Sequence, residues 1–260
     1  MQSQNVETVN ILGIGVSAIN MQLALSIIDD WIKKKDARQV VCVANVHTIM
    51  EARRDAQFRQ IYRHAGMVTP DGMPLVWVSH LQGFSQVGRV YGPDLLLAVC
   101  ESGIEKGYRH FFYGGAAGVA PRLAESLASR FPGLQVAGTL SPPFRELSAD
   151  EREKDIATIN AAMPDIVWVG LGAPKQEYWM FQNRADLHAP VLVGVGAAFD
   201  FHAGVKKQAP AWMQRVGLEW FFRLISEPRR LWKRYLINNP MFVVLVLTQL
   251  IRIKQYNHEG

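Results

Sequence analysis

The chain has 260 residues, 49% of them hydrophobic and 20% charged, with a formal net charge of +5. These values fit one large α/β domain, or one domain with a modest appendage, and exclude a disordered chain. The two cysteines, Cys42 and Cys100, lie far apart in apolar runs, so neither a disulfide framework nor a CxxC metal clip is expected, and a reducing cytoplasm is the natural setting.

Met1 to Asn10 is too polar for a secretory apolar core, so no signal peptide is expected. Val9 to Gly15 reads as a strand, Met21 to Lys34 as an amphipathic helix and Gln39 to Ala44 as a second strand. Gly13-Ile14-Gly15-Val16-Ser17-Ala18 is a literal GxGxxA. A dinucleotide site would also need an acid about 20 residues on, at the end of the second strand. That strand ends instead in Val43-Ala44-Asn45. A nicotinamide or flavin oxidoreductase is an alternative that rests on this motif alone.

A helical stretch runs from Thr48 to His64, followed by a short apolar run, Met67 to Thr69, that ends at Pro70-Asp71-Gly72. There proline fixes φ and glycine permits an unusual backbone, so Asp71 stands at a strand end with its carboxylate available to a cleft. It suits a general base beside a sugar hydroxyl; an aspartate satisfying its own turn is the structural alternative. Gly92-Pro93-Asp94 is a helix start. Strands are expected at His110 to Tyr113, Gln135 to Thr139, Ile166 to Gly170 and Val191 to Gly196, with helices near Val119 to Arg130 and Asp150 to Met163. This alternation predicts an α/β, Rossmann-like, mostly parallel sheet with helices on both faces.

Small residues at Gly114, Gly115 and Gly118 follow one strand and open a helix, which suits either a phosphate at the helix end or simple tight packing. Gly170-Leu171-Gly172-Ala173-Pro174-Lys175-Gln176-Glu177 leads from a strand through a Gly/Pro turn to a cation, an amide and a carboxylate in succession. Lys175 can neutralise phosphate, and Gln176 with Glu177 offers paired polar recognition of a base, ribose or sugar. Asp200 is an isolated carboxylate after a buried strand, so a partner or a ligand is expected for it.

Beyond Ala209 only helices are expected, giving a core over 1–204 and a basic, aromatic helical appendage over 205–260. From Val205 to Arg234 eight Lys/Arg oppose two Glu, a net +6; the remaining tail adds +1 and everything before sums to −2. This surplus should meet something anionic, whether a phosphate ligand, an acidic membrane leaflet or a nucleic acid; a solvated basic face is the plain alternative. Met241 to Leu247 is wholly apolar yet far short of the ~20 residues a spanning helix needs. It reads either as an interfacial anchor or as an ordinary packed helix.

Taken in order, Pro70-Asp71-Gly72, Gly170 to Glu177, Gly196-Ala197-Ala198-Phe199-Asp200 and Gly217-Leu218-Glu219-Trp220 … Arg223-Leu224 … Glu227-Pro228-Arg229-Arg230 … Arg234-Tyr235 resemble the WecG/TagA/CpsF glycosyltransferase family. The likeness implies an inverting, metal-independent enzyme of bacterial exopolysaccharide, capsule or cell-envelope polysaccharide synthesis. Its donor would be a UDP-sugar of N-acetylmannosamine or N-acetylmannosaminuronate type, or a hexose, and its acceptor a polyprenyl-diphosphate-linked glycan. It would sit in the cytoplasm, peripheral on the inner face of the cell membrane, without nucleic acid as partner; a homo-oligomer is left open.

Under that resemblance Asp71 is the catalytic base. Asn45, Gly172, Pro174, Lys175, Gln176, Glu177 and Asp200 are donor-site elements, and Gly114 and Gly115 join them through their place between a strand and a helix. Arg215, Arg223, Arg229, Arg230 and Arg234 clamp the acceptor diphosphate, although spacing alone does not assign them to donor or acceptor phosphates. Two departures are Val43, where some relatives carry a hydroxyl, and Gln208-Ala209-Pro210 in place of Arg-Ala-Pro. No DxD pair for a divalent ion is present, so cations and helix ends are expected to absorb the charge of departing UDP. A non-catalytic membrane-binding module is the other alternative, resting on the basic tail.

Overall fold

The computed structural model describes residues 6–35 and 37–256; the polar opening Met1 to Asn5 and the charge counted at Glu259 lie outside the described residues. Its main sheet has six parallel strands in the order β4-β3-β8-β7-β5-β6: β3 (Gln39–Ala44), β4 (Met67–Pro70), β5 (Arg109–Gly114), β6 (Gln135–Leu140), β7 (Ile166–Gly170) and β8 (Val191–Gly194). The α/β, Rossmann-like expectation holds. The chain divides into two compact units: residues 1–21, 43–91 and 208–260 form the first, and 22–42 with 92–207 the second.

In the first unit, the opening strand expected from Val9 to Gly15 is instead an antiparallel hairpin, β1 (Thr8–Ile11) and β2 (Ile14–Ser17). Leu12 and Gly13 form its two-residue turn, with φ of 56° and 86°, the left-handed pair such a tight hairpin needs. Gly15 lies within β2, opposite Asn10. The GxGxxA motif is therefore a turn and a strand, not a strand-to-helix phosphate loop, and the oxidoreductase alternative loses its one support.

The helical stretch expected from Thr48 to His64 divides into α2 (Val46–Arg54) and α3 (Ala56–His64). The break is Asp55, whose carboxylate accepts from Gln57 N at 2.8 Å and Phe58 N at 3.1 Å and so caps a new helix. After β4 comes α4 (Met73–Leu81), with proline in its first turn. The C-terminal part supplies α10 (Ala211–Arg215), α11 (Glu219–Ser226) and the 23-residue α12 (Pro228–Leu250).

Helix α12 buries Leu231, Tyr235, Asn238, Phe242 and Val246, a spacing of three and four that lies along one face. Its end is tied to the hairpin: Leu12 N donates to Gln249 Oε1 at 2.9 Å, and Gln249 Nε2 donates to Asn10 O at 2.8 Å. The apolar run from Met241 to Leu247 is thus half packed, yet Met241, Val243, Val244 and Leu247 stay exposed. Among the described residues no helix is long and apolar enough to cross a membrane.

The second unit holds α1 (Met21–Lys33) from Gln22 on, the first part of β3, α5 (Gly92–Gly103), β5, α6 (Val119–Arg130), β6, α7 (Ala149–Ala161), β7, α8 (Lys175–Asn183), β8 and α9 (Ala198–His202). Phe111, Phe112, Val167, Trp168, Leu192 and Val193 fill its core. Continuous apolar runs suit strands covered on both faces. Trp168 Nε1 donates to His110 Nδ1 at 3.1 Å inside this core. Burial pushes His110 down to about 4, so the imidazole is neutral at pH 7 and can accept that proton.

Candidate functional site

Within the first unit the carboxyl ends of β3 and β4 present Asn45 and Asp71. Asn45 Oδ1 accepts from His47 N and Thr48 N at 3.1 and 3.3 Å, while Asn45 N donates to Thr48 Oγ1, completing a capping box at the start of α2. The cap fixes the side chain and leaves its amide N–H groups as what it can offer a ligand.

Asp71 is anchored through its backbone, donating to Ala44 O at 2.9 Å and accepting from Arg89 Nε at 2.6 Å. Gly72, expected to need an unusual backbone, has φ −91° and ψ 141°, ordinary extended values. A Cβ there would meet Pro74 Cδ at 3.6 Å, an ordinary contact. The turn is shaped by proline and by hydrogen bonds from its neighbours.

Asp71 and Asn45 line a cavity of about 590 Å³ in this unit. Its lining combines polar side chains, among them His47, Arg89, Glu219, Arg223 and Arg234, with apolar ones, among them Trp77, Leu81, Phe242, Val243 and Leu247. The Nε of Arg234 is buried and has no hydrogen-bond partner among the described residues. Burial, joined by repulsion from Arg223 and Arg230, lowers the pKa of Arg234 below its ordinary value, although Tyr235 and Asp71 act the other way. An anion entering the cavity would relieve that repulsion. Arg223 is raised: burial opposes its charge, but Tyr235, Glu219, Tyr91 and Asp71 together outweigh it.

Arg223 and Arg234 are therefore brought to Asp71, whereas Arg215, Arg229 and Arg230 are exposed outside the cavity lining, and Arg230 pairs with Glu227 at 2.8 Å. His47 and Arg89 are not singled out by their sequence context, since neither stands in a glycine or proline motif with other polar groups. Burial first, then Arg234 and Arg54, pushes His47 down to about 3. It is neutral at pH 7, and its Nδ1 lies 3.2 Å from Asn238 Nδ2.

In the second unit the strand ends carry glycines for steric reasons. Gly114 has φ +126°, and a Cβ on it would lie 2.7 Å from the Gly170 carbonyl carbon. Gly115 N donates to Gly170 O at 3.0 Å, so that N–H is committed within the fold. A Cβ on Gly170 would strike the Phe199 ring at 2.6 Å. Gly172 has φ +77° with open space around it, and its carbonyl accepts Gln176 N at 3.0 Å. Ala173–Pro174 is a cis peptide bond.

Lys175 opens α8 at the surface, with Nζ 4.7 Å from the ring centroid of Phe144. Gln176 and Glu177 turn inward, 3% and 0% exposed, and Gln176 Nε2 donates to Glu177 Oε1 at 3.0 Å. A Cβ on Gly194 would lie 2.9 Å from Gln176 Nε2, so this glycine makes room for the amide at the end of β8. The Gln176 Oε1 is buried without a hydrogen-bond partner among the described residues. Asp200 is paired with Lys206 at 3.0 Å, the partner its isolation in the sequence called for.

Among the described residues no three His, Cys, Asp or Glu side chains converge where a metal ion could be held. A parallel α/β sheet bearing these motifs in this order defines a glycosyltransferase of one particular family: the chain belongs to the Glycosyl transferase WecG/TagA/CpsF family, whose model matches residues 9–256. Among curated proteins it is 32% identical over 207 residues to the N-acetylglucosaminyldiphosphoundecaprenol N-acetyl-beta-D-mannosaminyltransferase of Bacillus spizizenii, covering 80% of this chain and 78% of that one. The protein of the same name from Bacillus subtilis is 30% identical over 210 residues, covering 81% and 79%. That of Staphylococcus aureus is 24% identical over 257 residues, covering 98% of each chain.

Proposed function

We propose that the protein transfers a sugar from a UDP-sugar to a polyprenyl-diphosphate-linked glycan, with inversion and without a metal ion. The observation that carries this reading is the cavity of the first unit, whose lining combines three arginines and two carboxylates with many apolar side chains. An amphiphile with a diphosphate between a sugar and a hydrocarbon chain has that pattern of chemistry. The relatives' names specify such an acceptor, N-acetylglucosaminyldiphosphoundecaprenol, and a transferred N-acetylmannosamine. An N-acetylmannosamine-type donor and a role in envelope or extracellular polysaccharide synthesis are the finer part of the same reading for this chain.

In this mechanism Arg223 and Arg234 hold the acceptor diphosphate, and Trp77, Leu81, Val243 and Leu247 receive the first isoprene units. Asp71 takes the proton of the acceptor hydroxyl as its oxygen attacks the anomeric carbon from the side opposite UDP. The new glycosidic bond forms as the bond to UDP breaks, and the configuration inverts. General-base assistance of this kind contributes roughly 10²–10⁴-fold. Lys175, for the donor's phosphates, and Gln176, for its polar groups, are the proposed donor contacts. Charge on the departing diphosphate is met by fixed cations.

Exposed Trp212, Phe221, Ile225, Trp232, Leu236, Val243, Val244 and Leu247 stand among exposed Arg215, Arg229 and Arg230. Apolar side chains mixed with cations suit peripheral contact with an anionic leaflet. A donor screen against a synthetic lipid-diphosphate acceptor tests the whole reading, with product identified by mass spectrometry in the presence and absence of EDTA. Transfer from a UDP-sugar that survives chelation is expected. Transfer abolished by EDTA and restored by magnesium or manganese would overturn the metal-independent mechanism, and absence of transfer from every UDP-sugar would overturn the function.

A further inference from the structure

Three side chains of the first unit close around Arg89. Its Nη2 donates to Glu219 Oε2 at 2.5 Å, its Nη1 to Gln214 Oε1 at 3.3 Å and its Nε to the carbonyl of Asp71 at 2.6 Å. The guanidinium carbon lies 3.9 Å from the Tyr91 ring centroid, and the Tyr91 hydroxyl donates to the second oxygen of Glu219 at 2.9 Å. Both oxygens of Glu219 are thus engaged, by two donors that reach it from the segment following the Asp71 turn. The pair is largely withdrawn from solvent, with side chains 17% and 15% exposed, so solvent screening weakens it far less than it would a surface ion pair.

Glu219 is the first residue of α11, and Arg223 is four positions on. Side chains so spaced share one helix face, so whatever holds Glu219 sets the rotation of α11 and the aim of Arg223. A second contact agrees. Gly217, just before α11, has φ +73°, and a Cβ there would lie 2.7 Å from Trp77 Cη2, so the chain enters α11 pressed against α4.

We propose that Glu219 is a positioning residue for sugar transfer: through Arg89 and Tyr91 it seats α11 on the turn that carries Asp71, so that base and phosphate-binding arginine are assembled together. This deepens the function proposed above and rests on it. Arg89 is committed as a fixed strut, and Arg223 and Arg234 line the cavity beside Asp71. Glu219→Gln is the sharp probe. It replaces one acceptor oxygen by a donor amide, facing partners that both donate.

The experiment compares wild type, Glu219→Gln, Glu219→Asp and Tyr91→Phe. It measures transfer kinetics with a UDP-sugar and synthetic lipid-diphosphate acceptor, melting temperature, and amide hydrogen exchange over residues 67–72 and 219–226. Losing a charge-assisted hydrogen bond should lower kcat of Glu219→Gln roughly 10–100-fold. KM for the donor should stay within about twofold, because an interaction remote from donor binding leaves that constant alone. Glu219→Asp should recover part of the loss, and Tyr91→Phe should show a smaller loss of the same kind. Exchange should rise together in both segments.

A kcat per folded molecule equal to wild type in Glu219→Gln and Tyr91→Phe would overturn the proposal and leave Glu219 a stabilising residue. So would increased exchange confined to 219–226. If the wild type transfers no sugar, the functional reading fails by itself; the exchange comparison then still decides the strut, and unchanged exchange over 67–72 would sink it.

Discussion

Arg89 holds Asp71 by the main chain: its Nε donates to the aspartate carbonyl at 2.6 Å, and Asp71 N in turn donates to Ala44 O. The main chain of the turn is therefore held by bonds that do not depend on the charge of the carboxylate. Asp71→Asn is expected to fold with a melting temperature close to wild type and to keep its affinity for UDP, while transfer falls roughly 10²–10⁴-fold. Calorimetric UDP titration and product formation by mass spectrometry check both halves. Unchanged turnover would remove Asp71 from the mechanism.

The arginines of the C-terminal helices should separate into two groups. Arg223→Ala and Arg234→Ala, which line the cavity, should raise KM for the lipid-diphosphate acceptor by roughly 10–100-fold, the size expected for a lost charged hydrogen bond. Arg215→Ala and Arg229→Ala, at exposed positions, should leave KM for a detergent-dispersed acceptor within about threefold, while weakening sedimentation with anionic vesicles, at about 1 kcal/mol per surface cation. Equal effects of all four on KM would refute the division.

Two glycines invite opposite outcomes. Gly114→Ala places a Cβ 2.7 Å from a carbonyl carbon at φ +126° and should lower stability by at least about 1–3 kcal/mol through backbone strain alone. Gly72→Ala has room and an ordinary φ of −91°. Its modest loss as a helix cap should roughly offset the gain from a less flexible unfolded chain, leaving stability within about 1 kcal/mol of wild type. Urea denaturation of both variants distinguishes these cases.

His47 gives a pH dependence with a definite sign. Burial, followed by Arg234 and Arg54, holds it down to about 3, below the ~6.5 of a free histidine. The unfolded chain therefore takes up a proton that the folded protein refuses. Stability is full above ~6.5 and declines as pH falls toward 3, by up to about 1.4 kcal/mol per pH unit from this residue. Between pH 6.5 and 5, before most carboxylates titrate, His47→Gln should lose less stability than wild type. Parallel losses would show that His47 is not the group responsible.

Much of the sheet is legible in the sequence because its strands announce themselves locally. The apolar runs at Gln39 to Ala44 and Ile166 to Gly170 end in small residues, and both are strands at those bounds. Helix α5 starts at the Gly-Pro-Asp signal. The first strand departs from its sequence reading because GxGxxA specifies a tight turn and leaves open whether a helix or a strand comes after it. Pairing of Thr8 to Ile11 with Ile14 to Ser17 makes it a hairpin.

The sequence by itself determined the alternation of strands and helices, the family through four ordered motifs, and Asp71 in a proline turn as the carboxylate to watch. These are short-range features, written in neighbouring residues. Only the tertiary structure decided that Gln176 and Glu177 point inward, that Asp200 meets Lys206, and that two of the five candidate clamp arginines line the Asp71 cavity. It alone joined Arg89 to Glu219, 130 positions apart. Charge and exposure at a site arise from groups distant in the chain, and the side-chain direction that brings them together is fixed by packing, which no local pattern encodes.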